Sequence, residues 1–355
     1  MRLLLCGGGT GGHLFPAVAV AEEWLAAGGE VLFVGSGRHT EREVLGRLGL
    51  PWRAVDVEGL QGRGLKGALG LFKLPLALGQ SLAIVRRFHP DVVLGVGGYS
   101  SGPVIVAARL LGIPCAVQEQ NAVPGLTNRL LGALVQAAFI TFPDTAGFFG
   151  GKARLTGNPV RRALLEKTAP DKEPGRLHLF IFGGSLGAHS INVAAMNMTA
   201  HLASWKERLR VQHQTGETDL AKVRRAWETA GYKAEVSAFI HDMAAAYARA
   251  DLVVCRAGAT TLAELAAVGR PSILIPYPHA VGNHQELNAR AFERAGAAEV
   301  ILDRDLEPKM LAERISALLE DEGRRRRMSG AARGLARPGA AKAIAGELEE
   351  LARAA

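Results

Sequence analysis

Arg2-Leu-Leu-Leu-Cys6 runs straight into Gly7-Gly-Gly-Thr-Gly-Gly-His13. An apolar strand, a glycine turn and a helix start form a phosphate-binding device. The glycines let the backbone approach a ligand, and the helix N-terminus presents N–H groups and the positive end of its dipole. The device recurs near the middle of the chain, as Leu177-His-Leu-Phe-Ile-Phe182 followed by Gly183-Gly-Ser-Leu-Gly-Ala-His189. Around the first copy, short apolar runs at 3–6, 31–34, 91–96, 115–118 and 139–141 alternate with helix-length segments; around the second, runs at 179–182, 211–213, 252–255 and 272–275 do the same. Continuous apolar strands between helices predict parallel sheets covered on both faces. The fold class is α/β, with two doubly wound Rossmann-like domains facing each other across a cleft.

Length and composition agree with this. The chain has 355 residues, long for one core and ample for two. Apolar residues make up 48%, as in an ordinary globular protein, and 43 glycines suit many strand-to-helix turns. A formal charge of +8 favours nucleic acid, an anionic membrane surface or phosphorylated small molecules as partners. Aromatic residues are few and no basic–aromatic pattern offers a stacking surface, so no nucleic-acid partner is expected. Cys6, Cys115 and Cys255 each lie in or beside an apolar run and read as buried, reduced thiols. Met1-Arg2 leads directly into a strand, so no secretion signal is read. Residues 65–85 resemble a membrane span, but Lys66, Lys73, Pro75, Gln80 and several glycines interrupt them. Leu65, Leu69, Phe72 and Leu76 recur there at helical spacing, with Lys66 and Lys73 among them and Arg86-Arg87 beyond. That pattern suits a core-facing helix, and equally a face resting on an anionic bilayer.

The first glycine loop fits neither familiar phosphate signature. A Walker loop ends in Gly-Lys-Ser/Thr, whereas His13-Leu14 follow here. Gly7-x-Gly9-x-x-Gly12 traces a dinucleotide pattern, but the second strand ends Val34-Gly-Ser-Gly37 without the acid that would hold a ribose. NAD is therefore disfavoured, while the glycines far exceed what a tight turn requires. His13, at the helix start, is either a capping residue or a general base at a ligand-binding edge. Ser185, in the second loop, caps a helix, donates to a phosphate oxygen, or does both.

Other rim segments follow the same logic. Gly95-Val-Gly-Gly-Tyr99 and Gln118-Glu-Gln-Asn121 end two strands of the first half; the second offers four polar side chains to a polyhydroxylated ligand, or is merely a solvated loop. In the second half, Cys255-Arg-Ala-Gly258-Ala-Thr260-Thr261-Leu-Ala-Glu264 joins a strand to a helix. Glu264 is placed in the first helical turn, as a cap or as an acceptor of ribose hydroxyls. His279 and His284 lack a metal spacing, so no metal site is expected. Asp303-Arg-Asp305 has the form of a metal-binding D-x-D but is read as a solvated stretch far from the glycine loops. The domain boundary falls near Thr156-Gly-Asn-Pro-Val160, and Pro338-Gly339 precede a last helix.

These motifs together resemble the MurG family, bacterial transferases that add N-acetylglucosamine to lipid I in peptidoglycan synthesis. The residues that carry the likeness are Gly7-Gly-Gly-Thr-Gly-Gly-His-Leu-Phe-Pro16, Gly97-Gly-Tyr-Ser-Ser-Gly-Pro103, Glu119-Gln-Asn121, Thr156-Gly-Asn-Pro-Val-Arg161, Gly183-Gly-Ser-Leu-Gly-Ala188 and the Cys255 to Glu264 segment, collinear over nearly the whole chain. The resemblance implies a GT-B fold, with an acceptor domain over 1–158, a donor domain over 159–336 and a final helix at about 337–355 packing back on the first. It implies UDP-N-acetylglucosamine as donor, lipid I as acceptor, inversion at the anomeric carbon, no cofactor and no obligatory metal. Gly184, Ser185, Ile240, Gly258, Thr260, Thr261, Glu264 and Gln285 would hold the donor, with Arg161 facing its phosphates and Thr10, Gly11, Gly12 and Asn121 also in reach. Gly7, Gly8, Gly9, Thr10, Gly98, Tyr99 and Asn121 would hold the acceptor. His13, with Glu119 second, would be the base. Leu65, Lys66, Leu69, Phe72, Lys73, Leu76, Arg86 and Arg87 would rest on the anionic inner leaflet, as a peripheral protein on the cytoplasmic face of the bacterial membrane. Two positions depart from the family pattern: Gln118 stands where histidine is common, and Asn283 where aspartate is usual. A soluble UDP-N-acetylglucosamine 2-epimerase of the same fold is the alternative enzyme, and a nucleotide-sugar sensor the non-catalytic one.

Overall fold

The computed structural model describes residues 1–9, 11–57, 65–166, 175–184 and 186–355, without the side chains at 40, 65–73 and 281. Thr10, Ser185 and the side chains of Leu65, Lys66, Leu69, Phe72 and Lys73 thus lie outside the described residues. The chain divides into two compact units, Met1–Arg161 with Arg337–Ala355, and Arg162–Ala336.

The first unit contains β1 (Arg2–Cys6), α1 (Gly11–Ala26), β2 (Glu30–Gly35), α2 (His39–Arg47), β3 (Trp52–Ala54), α3 (Leu65–Phe88), β4 (Val92–Gly95), α4 (Ser101–Leu110), β5 (Cys115–Glu119), α5 (Leu126–Leu131), β6 (Ala137–Ile140) and β7 (Ala153–Leu155). All seven strands are parallel, in the order β3-β2-β1-β4-β5-β6-β7. Strand side chains alternate between faces, and the sequence uses this directly. Leu3 and Leu5 pack with Leu14, Val18 and Trp24 of α1, while Leu4 and Cys6 pack with Val104, Ile105 and Ala108 of α4.

The second unit runs α6 (Arg162–Glu166), β8 (Leu177–Phe182), α7 (His189–Asn197), β9 (Leu209–Gln214), α8 (Leu220–Thr229), β10 (Lys233–Ser237), α9 (Met243–Arg249), β11 (Leu252–Cys255), α10 (Ala259–Val268), β12 (Ser272–Leu274), α11 (His284–Arg294), β13 (Ala298–Val300), α12 (Pro308–Glu320) and α13 (Glu322–Leu335). Its six parallel strands are ordered β10-β9-β8-β11-β12-β13, the doubly wound order of the first sheet. Leu179 and Ile181 pack beneath α7 and α12, while Phe180 and Phe182 stack at 4.7 Å and meet the edge of Tyr247. The last helix, α14 (Ala340–Arg353), belongs to the first unit: Ile344 and Leu348 share a core with α1.

Four strands escaped the sequence reading: β3, β7, β10 and β13. All are outer strands or sheet edges of three to five residues, mostly half-covered, so they carry no continuous apolar run. The three cysteines are buried and unbridged, and burial pushes the Cys115 thiol up to about 12, so these thiols stay protonated.

Under the second sheet lies a buried polar chain. Trp227 Nε1 donates to His213 Nδ1 (3.2 Å), so the neutral ring carries its proton on Nε2 and donates it to Asn192 Oδ1 (3.0 Å). Asn192 Nδ2 in turn donates to Asp219 Oδ2 and to the Thr215 carbonyl, both at 2.9 Å. Burial pushes the His213 pKa down to about 3, against the pull of Asp219. Burial alone would raise Asp219, but hydrogen bonds from Asn192 and His189 outweigh it and hold that carboxyl below its usual range.

Two predictions follow from this packing. Unfolded His213 takes up a proton near pH 6.5, roughly the free value, whereas the folded ring refuses it until about pH 3. The stability it contributes is therefore complete above pH 6.5 and is lost as the pH falls through that window, by at most about 1.4 kcal/mol per pH unit. Urea unfolding followed by tryptophan fluorescence between pH 6.5 and 4.5, above the Asp219 transition, should show a shallower pH slope in His213→Gln than in the parent. The second concerns Gly187, at φ +77°, where an added Cβ would run into the Thr215 carbonyl. Gly187→Ala is expected to lose roughly 2 kcal/mol or more in the same assay.

Candidate active site

β1 and β4 are neighbours, as are β8 and β11, and each pair marks the point where strand order reverses. Loops leaving the carboxyl ends of such strands diverge and open a ligand crevice. In the first unit these are the loops after Cys6 and Gly95. They touch through backbone: a Cβ on Gly98 would fall 2.6 Å from the Gly8 carbonyl oxygen.

A carboxylate that the sequence reading missed supports this loop. Glu41, 2% exposed on α2, accepts from Gly9 N (2.6 Å) and Ser36 Oγ (3.0 Å) on one oxygen, and from Gly37 N (2.8 Å) and Arg38 N (3.3 Å) on the other. Arg38 Nη1 closes the ring on the Gly9 carbonyl (3.1 Å). Gly7 N donates to the Val34 carbonyl (3.1 Å). The expected cradle is therefore corrected at Gly7 and Gly9, whose N–H groups hold the domain together. Gly11 and Gly12 open α1, at the positive end of its dipole.

The segment Gln118 to Asn121 is likewise corrected. Gln118, Glu119 and Gln120 are 0%, 1% and 2% exposed, so they do not form a solvated or ligand-facing row. Glu119 accepts from Asn121 N (3.0 Å) and Asn121 Nδ2 (3.2 Å) on Oε1, and from Gly125 N (3.1 Å) and Asn128 Nδ2 (2.9 Å) on Oε2. These four donors make the carboxylate the organiser of its own loop. Gln120 Nε2 donates to the Val96 carbonyl (2.9 Å) and to Gln118 Oε1, while Gln118 Nε2 donates to Asn158 Oδ1 (3.1 Å). The amide of Gln120 is thereby oriented, and its Oε1 meets His13 Nδ1 at 3.2 Å. An amide oxygen only accepts, so Nδ1 of the neutral ring carries the proton and Nε2 the lone pair. Gln118, at the position where the family commonly has histidine, is a buried link in this chain. Arg161 belongs to this unit and stacks its guanidinium over Phe15, two residues beyond His13 on α1, at 4.1 Å. Leu76, Arg86 and Arg87 are exposed on α3, and Tyr99 is half-buried.

In the second unit, α10 starts at Ala259 with Gly258 as its N-cap. Glu264 therefore lies in the second turn, not the first, and does not cap. It is 6% exposed and accepts from the buried Tyr247 hydroxyl (3.1 Å). Thr260 and Thr261 occupy the first turn of α10, beside Gly258. Gln285 Oε1 accepts from Ala257 N (3.2 Å) and Tyr277 N (3.0 Å), tying together the loops after β11 and β12 and setting the direction of its NH2. Asn283 takes a left-handed conformation (φ +54°) at the start of α11, which asparagine tolerates better than most residues. Gly184 lies in the turn before α7, and Ile240 is half-buried between β10 and α9.

Asp303 overturns the reading of a solvated stretch. Its Oδ1 accepts from Arg256 Nη1 (2.5 Å) and Ser190 Oγ (2.6 Å), while Arg256 also donates to the Ile275 and Pro276 carbonyls (3.1 and 3.2 Å). Arg256 thus joins the strand ends of β11, β12 and β13 to the first turn of α7, immediately after the second glycine loop. Arg304 and Asp305 are exposed. Among the described residues, no three His, Cys, Asp or Glu side chains converge as a metal would require.

These features have counterparts in known proteins. Residues 3–140 match the glycosyltransferase family 28 N-terminal domain, and residues 178–344 the family 28 C-terminal domain. The chain is 50% identical, over 99% of its length and 94% of the relative, to the UDP-N-acetylglucosamine–N-acetylmuramyl-(pentapeptide) pyrophosphoryl-undecaprenol N-acetylglucosamine transferase of Anaeromyxobacter sp. (strain Fw109-5). It is 49% identical to the enzyme of that name from Geobacter metallireducens, with 98% of each covered. The crystal structure of Acinetobacter baumannii MurG matches with a TM-score of 0.78 at 30% identity, over 98% of this chain and 99% of that one. The UDP-N-acetylglucosamine 2-epimerase of Neisseria meningitidis gives 0.70 at 15% identity, over 99% and 100%, and shares the fold alone. With both family 28 domains in order and half its residues shared along nearly the whole length, the chain belongs to the MurG family of glycosyltransferases.

Proposed function

We propose that this protein is an inverting glycosyltransferase that moves N-acetylglucosamine from UDP-N-acetylglucosamine to the 4-hydroxyl of the MurNAc unit of lipid I, giving lipid II. The observation that carries this reading is the continuous likeness to transferases of that activity through both units. The 2-epimerase alternative rests on fold alone.

The residues suit a displacement at the anomeric carbon. The acceptor oxygen forms a bond to C1 as the C1–phosphate oxygen bond breaks, and the hydroxyl proton must leave. His13 takes it on Nε2, because Gln120 holds the other nitrogen as the N–H. Negative charge grows on the departing UDP diphosphate. The positive ends of α7 and α10, with their adjoining turns at Gly184, Ser185, Gly258, Thr260 and Thr261, are the groups that stabilise it. Glu264, anchored by Tyr247, accepts the ribose hydroxyls, the Ile240 backbone meets the uracil, and the NH2 of Gln285 meets the sugar. Arg161, stacked on Phe15, and Asn121 are the first unit's candidates for binding the donor. The acceptor diphosphate lies at the start of α1, beside Gly98 and Tyr99.

Membrane association follows from the substrate, which is anchored by its lipid. Among the described residues no helix is long and apolar enough to cross a bilayer. The exposed Leu76, Arg86 and Arg87 of α3 rest on the anionic cytoplasmic leaflet and keep the protein peripheral.

Incubation with labelled UDP-N-acetylglucosamine and a short-chain lipid I analogue tests the activity. Transfer with inversion is expected; epimerised sugar without acceptor, or binding without turnover, would refute it. His13→Ala should lower kcat by about 10²- to 10⁴-fold with little change in KM for the donor, and near-normal transfer would remove His13 as the base. Gln120→Leu, which deletes the acceptor for Nδ1–H, should lower kcat about tenfold or more and free the ring to change tautomer, visible in its ¹⁵N NMR shifts.

A further inference from the structure

The first unit contains a cavity of about 400 Å³, within the range of small-molecule sites. Its wall is built from Leu74 and Leu78 of α3, Val106 of α4, and Leu130 of α5 with Leu134 just beyond. The one carboxylate on the wall, Asp56, is satisfied within the protein: its N–H donates to Gln80 Oε1 (2.8 Å) and its Oδ2 accepts from Gln80 Nε2 (2.6 Å). The wall therefore presents little but hydrocarbon to an occupant. At the mouth, Leu74, Leu130 and Leu134 are 40%, 67% and 41% exposed, an apolar rim that soluble surfaces seldom leave bare beside a cavity.

The position of the cavity says what would fill it. Tyr99 is among the residues that line it. The preceding residue, Gly98, packs against the Gly8 carbonyl of the glycine turn. The apolar wall and the glycine turn that leads into α1 thus meet through Gly98 and Tyr99, beside which the acceptor diphosphate is proposed to lie. A hydrocarbon slot beside the position proposed for the acceptor diphosphate matches a single ligand with an anionic head and an apolar tail.

We propose that this slot binds the first isoprenoid units of the acceptor's lipid, next to the diphosphate, so that the protein grips the tail as well as the head group. The identity of the tail rests on lipid I being the acceptor. The volume admits only a few branched five-carbon units, and the remaining chain leaves past the leucine rim toward the bilayer.

The test measures binding to the full chain without donor or sugar acceptor, so it does not depend on transfer. Calorimetry in detergent-free buffer compares geranylgeranyl diphosphate with inorganic pyrophosphate. The prenyl ligand is expected to bind at least tenfold tighter. Gly102→Leu plugs the slot without strain, since Gly102 lines it and an added Cβ meets nothing within 4 Å; in a helix the change also raises propensity. Leu130→Gln alters the exposed rim and keeps the core. Both variants should reduce the prenyl advantage to under threefold, while pyrophosphate affinity stays within error and the melting midpoint does not fall. With lipid I analogues, they should raise KM about tenfold for a twenty-carbon chain and leave KM for UDP-N-acetylglucosamine unchanged. Equal affinity of the parent for both ligands, or a prenyl advantage that survives both variants, overturns the proposal. So does weaker binding to anionic phosphatidylglycerol vesicles with prenyl selectivity intact, since the face would then dock on a bilayer without holding a chain. Prenyl selectivity in a protein that transfers no sugar would instead refute the activity.

Discussion

β1 and β8 are each hydrogen-bonded to a parallel neighbour on both sides, and their apolar residues are covered by helices on both faces. Such a strand has no free backbone and no free face, and its residues cannot touch a ligand without breaking the core. Chemistry is displaced to the carboxyl end, where the chain leaves the sheet. All of the polar network around His13 stands at such ends, as do Arg256 and the second glycine loop. The loops then face their own difficulty, because a glycine-rich turn has little intrinsic reason to hold one shape. Each unit meets it with a charged or amide side chain used as a fastener. Glu41 gathers four donors under the first turn, and Arg256 gathers three carbonyl or carboxylate oxygens and a hydroxyl beside the second.

Much of the fold was legible because central parallel strands must be continuously apolar. Leu3 to Cys6, Leu179 to Phe182 and Leu252 to Cys255 announce themselves. The outer strands β3 and β10 do not, since Trp52-Arg-Ala54 and Lys233-Ala-Glu-Val-Ser237 are half-covered and carry charge. Register also limited the reading. A shift of a few residues in the start of α10 moved Glu264 from a capping position to the second turn, next to Tyr247.

The site was legible by segment more than by role. The run Gln118-Glu-Gln-Asn121 stood out as polar, but polarity alone does not tell inward from outward. Three of its four side chains point into the domain because Asn128, Asn158 and backbone groups there satisfy them. Glu41 gave no signal, since it lies 32 residues from the Gly9 N–H it accepts and belongs to no motif. Asp303 misled for the opposite reason: a familiar D-x-D spelling in a charged stretch hid a carboxylate already committed to Arg256 and Ser190.

The return of α14 to the first unit bears on how the protein is made. Ile344, Ala345 and Leu348 complete a core whose other members include residues of β1, α1, β2, β4, β5 and β6. Residues 162–336, by contrast, form a unit uninterrupted in the chain. During synthesis the usual order, amino-terminal domain first, is therefore reversed in its last step. The second unit has every residue it needs while the first still awaits its final helix. A chain truncated before α14 would leave exposed the apolar face of α1, on the helix that carries His13.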